Sequence, residues 1–325
     1  MSFRKVLIIR LSSIGDIVLT SPVLRSVKKQ TNAKIDYLIK DKYVQVIKNN
    51  PNINRVLTIS EVLENFKALN YDLIIDLQKN FKSIFLSIML KKNNTKYISY
   101  NKKNIHKWIL INFKKNFILK EHIVDRYFNR LKKHNILKDN EGLDYFIPSD
   151  INNQTLPVQL PFNKIYYAWV IGGTYDKKKI SRELIIEVCS KLSIPVFFLG
   201  GEFEKEEGDF ICNSIGKSKN YNLCGLLSLD ESAYVLKKAS MVLSNDTGLL
   251  HIASAFNKKI ISFWGCTRPS LGMAPYKPHS KNIQIFSNLS IFPCSKLGNR
   301  CSYNNKGCIK NITALEVLTA IHKIA

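Results

Sequence analysis

The stretch 6–29, VLIIRLSSIGDIVLTSPVLRSVKK, decides the fold. Val6–Ile9 is an unbroken run of apolar side chains, the pattern of a strand buried on both faces. Ser12, Ser13, Gly15 and Asp16 then form a short polar loop, and from about Ile17 to Lys29 the stretch is amphipathic at helical spacing. The same unit recurs at Ile35–Ile39 with a helical Tyr43–Asn49, and further strands are predicted at Val56–Ile59 and Tyr71–Leu77. Strands alternating with helices predict a doubly wound, parallel α/β sheet. The pattern weakens over 148–161, where Pro148, Pro157 and Pro161 bracket Asn152-Asn153-Gln154, and this polar stretch reads as a linker.

Alternation restarts beyond it. Strands are predicted at Ile165–Ile171, Pro195–Leu199, Met241–Ser244 and Lys259–Trp264, with helices at Arg182–Leu192, Lys205–Ile215, Leu229–Ala239, Leu249–Ala255 and Thr313–Ile324. Two Rossmann-like domains are therefore expected, 1–155 and 156–325, facing one another across a cleft. The terminal helix, 313–325, is expected to be able to pack back on the first domain.

The chain has 325 residues, 45% of them hydrophobic, which suits packed domains and excludes a disordered or collagen-like protein. Lys+Arg 49 against Asp+Glu 25 gives a net charge of +24, a field that points to anionic partners. The apolar run before Arg10 is too short for a secretory signal core, and no stretch approaches the roughly 18 apolar residues of a membrane span. A cytoplasmic protein, at most peripheral to a membrane, is expected. Seven cysteines spread along the chain do not make a disulfide scaffold.

Two loops carry candidate chemistry. In open α/β sheets ligands bind at the carboxyl ends of strands, beside helix N-termini. Ser13, Gly15 and Asp16 occupy that place after the first strand; Asp16 could equally be a helix cap and nothing more. The second loop is Ser244-Asn245-Asp246-Thr247-Gly248, with His251 one turn into the following helix. Short polar residues and glycine let backbone amides approach a phosphate closely. His251 alone would read as a satisfied core imidazole.

Taken in order, RLSSIGDIVLTSPVL, YDLIIDLQ at 71–78, HIVDRY at 122–127, Gly200-Gly201 and SNDTGLLHIASAFNKKIISFWGCTRP resemble glycosyltransferase family nine, the lipopolysaccharide heptosyltransferases. The resemblance implies a GT-B fold and an inverting, metal-independent transfer of a sugar, ordinarily heptose from ADP-heptose, onto a lipopolysaccharide inner-core or lipid A-type acceptor. It implies that Asp16 is the general base and that Asp246, Thr247, Gly248 and His251 belong to the donor diphosphate site. Lys178 best matches the family's donor lysine, although Ile180-Ser181 replaces the aromatic-Pro pair expected after it and Lys177 and Lys179 blur the register. Thr174 shares that loop. A ribose-binding carboxylate is expected at Glu202 or Glu204, with Glu204 slightly preferred, and Ser13 is placed at the diphosphate. Another nucleotide sugar with a different glycan acceptor is the alternative, and a nucleotide-sugar epimerase a more distant one.

From Leu77 to Lys120 there are eleven lysines and no acidic residue, interleaved with apolar side chains such as Phe81, Ile84, Phe85, Ile88, Trp108 and Phe113. Lys79, Lys82, Lys91 and Lys92, with Arg126, are the candidates for contact with an anionic glycolipid or with the inner-membrane surface. The plain alternative is a core helix with a solvated basic face. No nucleic-acid-binding signature accompanies the charge, so nucleic acid is not expected as a partner. Cys294, Cys301 and Cys308 are spaced C-x6-C-x6-C, unlike the two- to four-residue spacing usual within zinc ligand pairs. This is not a zinc-finger pattern, and whether these cysteines hold a metal stays open; the resemblance implies neither a catalytic metal nor a cofactor.

Overall fold

The protein is described by a computed structural model covering residues 3–115, 121–216, 220–303 and 305–325. Two compact units divide it: Met1–Lys103 with Glu121–Phe146, and Asn104–Lys120 with Ile147–Ala325. The chain thus changes unit at 146/147, and the short segment beginning at Asn104 belongs to the second unit.

Among the described residues, the first unit holds β1 (Lys5–Ile9), β2 (Lys34–Ile39), β3 (Arg55–Thr58), β4 (Leu73–Asp76) and β5 (Lys96–Ser99) in one sheet ordered β3-β2-β1-β4-β5. Every pairing is parallel. Val6–Ile9 is fully buried, as its unbroken apolar run requires for a central strand covered by helices on both faces. The amphipathic stretch after it forms two helices, Ile14–Val18 and Ser21–Thr31, with Pro22 in the first turn of the second, where its missing N–H costs nothing. The predicted helix at Tyr43–Asn49 is a 3₁₀ segment, Asp41–Val46. Strand β5, in a lysine-rich segment, was not foreseen.

The second unit holds β6 (Tyr167–Val170), β7 (Val196–Leu199), β8 (Tyr221–Asn222), β9 (Met241–Asn245), β10 (Ile260–Trp264) and β11 (Ile283–Phe286), ordered β11-β10-β9-β6-β7-β8 and parallel throughout. Its core joins Trp169, Phe198, Leu243 and Phe263 from the sheet to Val188, Ile211 and Val317 from the helices. The terminal helix Ala314–Ile324, expected to be free to reach back to the first domain, lies in this second core. Ala314, Val317, Ala320, Ile321 and Ile324 are buried there, and Thr313 closes the helix N-terminus with a capping box to Glu316.

In each sheet strand order reverses beside its first strand, between β1 and β4 and between β6 and β9. Such switch points open a crevice at the carboxyl ends of the strands, where ligands of doubly wound sheets bind.

Candidate functional site

In the first unit the loop after β1 carries a buried cation. Arg10, 6% exposed, contacts Asp16 Oδ1 at 2.6 Å through Nη2. It also donates from Nε to the Ser12 carbonyl at 2.9 Å and from Nη1 to the Leu77 carbonyl, which follows β4. The guanidinium therefore spans the β1/β4 switch point. Asp16 Oδ2 accepts from the Ser13 hydroxyl at 3.0 Å and from the Ser13 amide at 3.3 Å. Burial pushes the Asp16 carboxyl up, but the Arg10 charge and the Ser13 hydrogen bonds outweigh it and hold the group below its ordinary value. Ser13, not Asp16, is the N-cap of the helix Ile14–Val18; Asp16 stands at N3, closes the capping box by accepting from the Ser13 amide, and is also the ionised partner of a buried arginine. A capping preference alone could not reveal the second role, because Arg10 reads as the end of a strand.

Asp76, fully buried at the end of β4, organises the neighbouring loop. Its Oδ1 accepts from the Gln78 and Lys79 amides at 2.9 and 2.7 Å, and its Oδ2 from the Ser83 hydroxyl at 2.8 Å. That turn holds Lys79 in the left-handed region, φ 47°. Arg126, grouped by sequence with the surface lysines, is instead buried. Its Nη2 donates to the Glu121 carbonyl at 2.9 Å, and burial lowers its pKa. Its position excludes it from an exposed lysine face. Lys82, Lys91 and Lys92 are exposed, and Lys79 is half-buried; Lys120 lies outside the described residues.

Helix Phe81–Leu90 splits into two faces. Ser83, Leu86, Ser87 and Leu90 pack inward, while Phe81, Ile84, Phe85 and Ile88 are exposed at i, i+3, i+4 and i+7. Phe81 is 90% and Ile88 68% exposed. The helix is thus only half a core element.

In the second unit the loops after β6, β7, β9 and β10 meet. Asp246, just past β9, takes Lys178 Nζ and the Thr267 hydroxyl on Oδ2, both at 2.8 Å. The Lys178 side chain is only 15% exposed, so it is not a solvated basic turn. Lys179 turns the other way, to Glu204 Oε1 at 2.6 Å, while Glu204 Oε2 accepts from the Gly201 amide at 2.9 Å. Glu204 is buried and bridges the β6 and β7 loops; Glu202 is exposed. Thr174 is exposed on the β6 loop.

Asn245, 1% exposed, supplies the fixed point. Its Nδ2 donates to the Ile171 and Gly172 carbonyls at 3.2 Å, and its Oδ1 accepts from the Ile180 amide at 3.3 Å. Thr247 precedes the helix Gly248–Ala255 with extended backbone and no side-chain cap, so the first-turn amides are not satisfied by that side chain. His251 is buried in this helix. Arg268, also buried, clamps the β10 loop by donating to the Ser287 carbonyl at 2.8 Å. Separately, a hollow of about 480 Å³ in this unit is lined by Ile105, Trp108, Ile111, Lys296 and Arg300 among others.

Asp16, Ser13 and Gly15 are thus gathered at one switch point, and Lys178, Asp246, Thr247 and Gly248 at the other. A carboxylate beside a hydroxyl can accept a proton, and a lysine beside a bare helix N-terminus can hold a diphosphate. Two parallel α/β units, each with polar groups at its own switch point, are the make-up of a GT-B protein. Residues 59–306 match the profile of glycosyltransferase family 9 (heptosyltransferase), and the chain belongs to that family.

Among relatives, lipopolysaccharide heptosyltransferase 1 of Campylobacter coli is 27% identical over 292 residues, covering 81% of this chain and 84% of its own. The family 9 glycosyl transferase of Veillonella parvula superposes with a TM-score of 0.81 at 20% identity, covering 100% of this chain and 98% of its own. The heptosyltransferase WaaC of E. coli, solved with ADP, gives 0.71 at 21% identity over 99% of this chain and 100% of its own. Its complex with ADP-2-deoxy-2-fluoro heptose gives 0.68 at 22% identity, with the same coverage.

Proposed function

We propose that the protein transfers heptose from ADP-heptose to an anionic inner-core or lipid A-type glycolipid, with inversion at the anomeric carbon and without a catalytic metal. Heptosyl transfer is favoured by family membership and by the Campylobacter relative, and an adenine nucleotide by the WaaC complexes. The observation that carries the chemistry is the Arg10–Asp16 pair at 2.6 Å, which keeps a carboxylate ionised next to a hydroxyl-lined loop.

Asp16 takes the proton of the acceptor hydroxyl as its oxygen bonds to the anomeric carbon. The bond from that carbon to the diphosphate oxygen breaks, and the electron pair leaves with ADP. A carboxylate of lowered pKa is a weak base, and it suffices because the hydroxyl becomes acidic only as the new C–O bond forms. Lys178 exchanges Asp246 for the diphosphate, and the amides at Thr247 and Gly248 meet the charge that develops on the leaving group. Those groups supply positive potential where a metal would otherwise be needed. Glu204 or Glu202 is the candidate for the ribose hydroxyls.

The apolar face of Phe81–Leu90, flanked by Lys82, Lys91 and Lys92, suits peripheral attachment to an anionic, cytoplasmic membrane face. The hollow beside Trp108, Lys296 and Arg300 combines apolar walls with cations in the same way. No described helix is long and apolar enough to cross a membrane.

The experiment is a transfer assay with purified protein, ADP-heptose and heptose-free lipid A-type acceptor, with UDP-, GDP- and CMP-sugars as controls and chelator present. Transfer from ADP-heptose alone supports the reading. Preference for another nucleotide sugar replaces the donor, and loss of activity to chelator removes the metal-independent step.

A further inference from the structure

Three chain segments bring four sulfur atoms to one point in the second unit. Cys266 follows β10, Cys294 and Cys301 flank a six-residue loop, and Cys308 begins the 3₁₀ turn Cys308–Asn311. Their Sγ atoms all lie within 4.8 Å of one another. Cys266–Cys308 and Cys294–Cys301 are 3.7 and 3.9 Å apart. A disulfide needs sulfurs about 2.05 Å apart. A tetrahedral ion with metal–sulfur bonds of about 2.3 Å places its ligands about 3.8 Å apart. Backbone amides also point at the sulfurs, that of Ser302 at Cys294 and that of Cys308 at Cys266, as suits thiolate ligands.

The wide sequence spacing is absorbed by two glycines. Gly298 and Gly307, each lying between two of the cysteines, have φ of +80° and +99°, a left-handed backbone that glycine adopts without strain. Both also touch the donor loop. A Cβ on Gly298 would come within 2.5 Å of Lys178 Cγ, and one on Gly307 within 2.9 Å of Lys177 Cα. Cys266 itself precedes Thr267, which hydrogen-bonds Asp246.

We propose that Cys266, Cys294, Cys301 and Cys308 hold one tetrahedral, thiolate-bound metal ion, zinc or iron, as a staple that fixes the 294–308 loop beneath the Lys178–Asp246 pair. The ion has a structural role and takes no part in sugar transfer. All four ligands come from the protein, so no position is left for substrate, as in closed structural sites. Cys301 is the most exposed of the four and marks the side from which the ion enters.

The test is metal analysis of full-length protein purified under reducing conditions without chelator, with Cys294→Ser and Cys189→Ser made in parallel. Cys189 is buried elsewhere in the second core and serves as the control. About one equivalent of zinc or iron is expected in wild type and in Cys189→Ser, with the bulk lost from Cys294→Ser. Visible absorption separates the two, since thiolate-bound ferric iron is coloured and zinc is not. Stoichiometric release of the ion as a mercurial titrates thiols in wild type provides a second readout if the serine variant fails to fold. A wild-type protein that holds less than about half an equivalent after zinc or ferrous add-back and desalting overturns the proposal. A disulfide among these cysteines in the intact mass, or undiminished metal in Cys294→Ser, does so equally. None of these outcomes depends on the transferase reading, because no substrate is present.

Discussion

Replacing Asp16 by Asn preserves size and capping ability, and from the sequence alone it should leave stability untouched. The structure predicts otherwise. The substitution removes the charge 2.6 Å from a buried Arg10, which keeps the Ser12 and Leu77 carbonyls and, at 3.4 Å, the Tyr127 hydroxyl as hydrogen-bond acceptors. Breaking one half of a fully buried pair costs about 3–5 kcal/mol. With the Asp16 side chain 19% exposed and those carbonyls retained, about 1–3 kcal/mol is expected here. Loss of a general base separately costs about 10²–10⁴ in rate, or roughly 3–5 kcal/mol of transition-state stabilisation. Glycosyl transfer and urea unfolding measured on Asp16→Asn and on Arg10→Met/Asp16→Asn separate the two effects. The double variant should regain stability and no activity. Because the folded carboxyl titrates below its unfolded value near 4, its contribution is present above that value and disappears as pH falls through the folded one. The stability gap between wild type and Asp16→Asn should therefore close in acid. Near-normal turnover in the single variant would refute the base assignment, and an unchanged unfolding midpoint at pH 7 would refute the buried-pair argument.

Lys178→Met should weaken ADP binding tenfold or more by calorimetry, about 1.4 kcal/mol, because a cation is lost from the proposed diphosphate site. Asp246→Asn frees that lysine from its partner, so its effect on ADP affinity should be the smaller of the two. Ile88→Glu and Phe85→Glu, at exposed positions, should leave melting within about 0.5 kcal/mol of wild type. Both should abolish sedimentation with anionic liposomes in low salt. Gly298→Ala must place a Cβ against Lys178 at a left-handed φ; about 1–2 kcal/mol of stability and a measurable share of ADP affinity should go together.

The sheets were legible where strands are central. Val6–Ile9 and Met241–Leu243 are unbroken apolar runs, and burial on both faces demands that. Strand β5, Lys-Tyr-Ile-Ser, sits at a sheet edge and buries only Ile98, so no run announces it. That Asp16 and Asp246 lie at strand ends was legible because such loops concentrate short polar residues, whereas Lys178 was singled out only through the family resemblance. Their partners were not: Arg10 looks like a strand terminus, and Thr267 belongs to another strand's loop. Arg126 was misgrouped because sequence position cannot tell a buried cation from an exposed one. Cys266 lies 28 residues before Cys294. Only the tertiary fold brings it to the other three, and spacing rules built on local turns pass over it.

Asn245 bears on how fast and how tightly a nucleotide is captured. One side-chain amide ties the end of β9 to both ends of the β6 loop, so two walls of the proposed diphosphate site share a single anchor. A ligand meeting such a site spends little of its contact energy on ordering loops. Association is then governed by collision and by the protein's positive field instead of by a slow rearrangement. Exchanging this amide for an aspartate would set a carboxylate against the Ile171 and Gly172 carbonyls. The two walls would part, and nucleotide capture would become a two-step process with a concentration-independent phase.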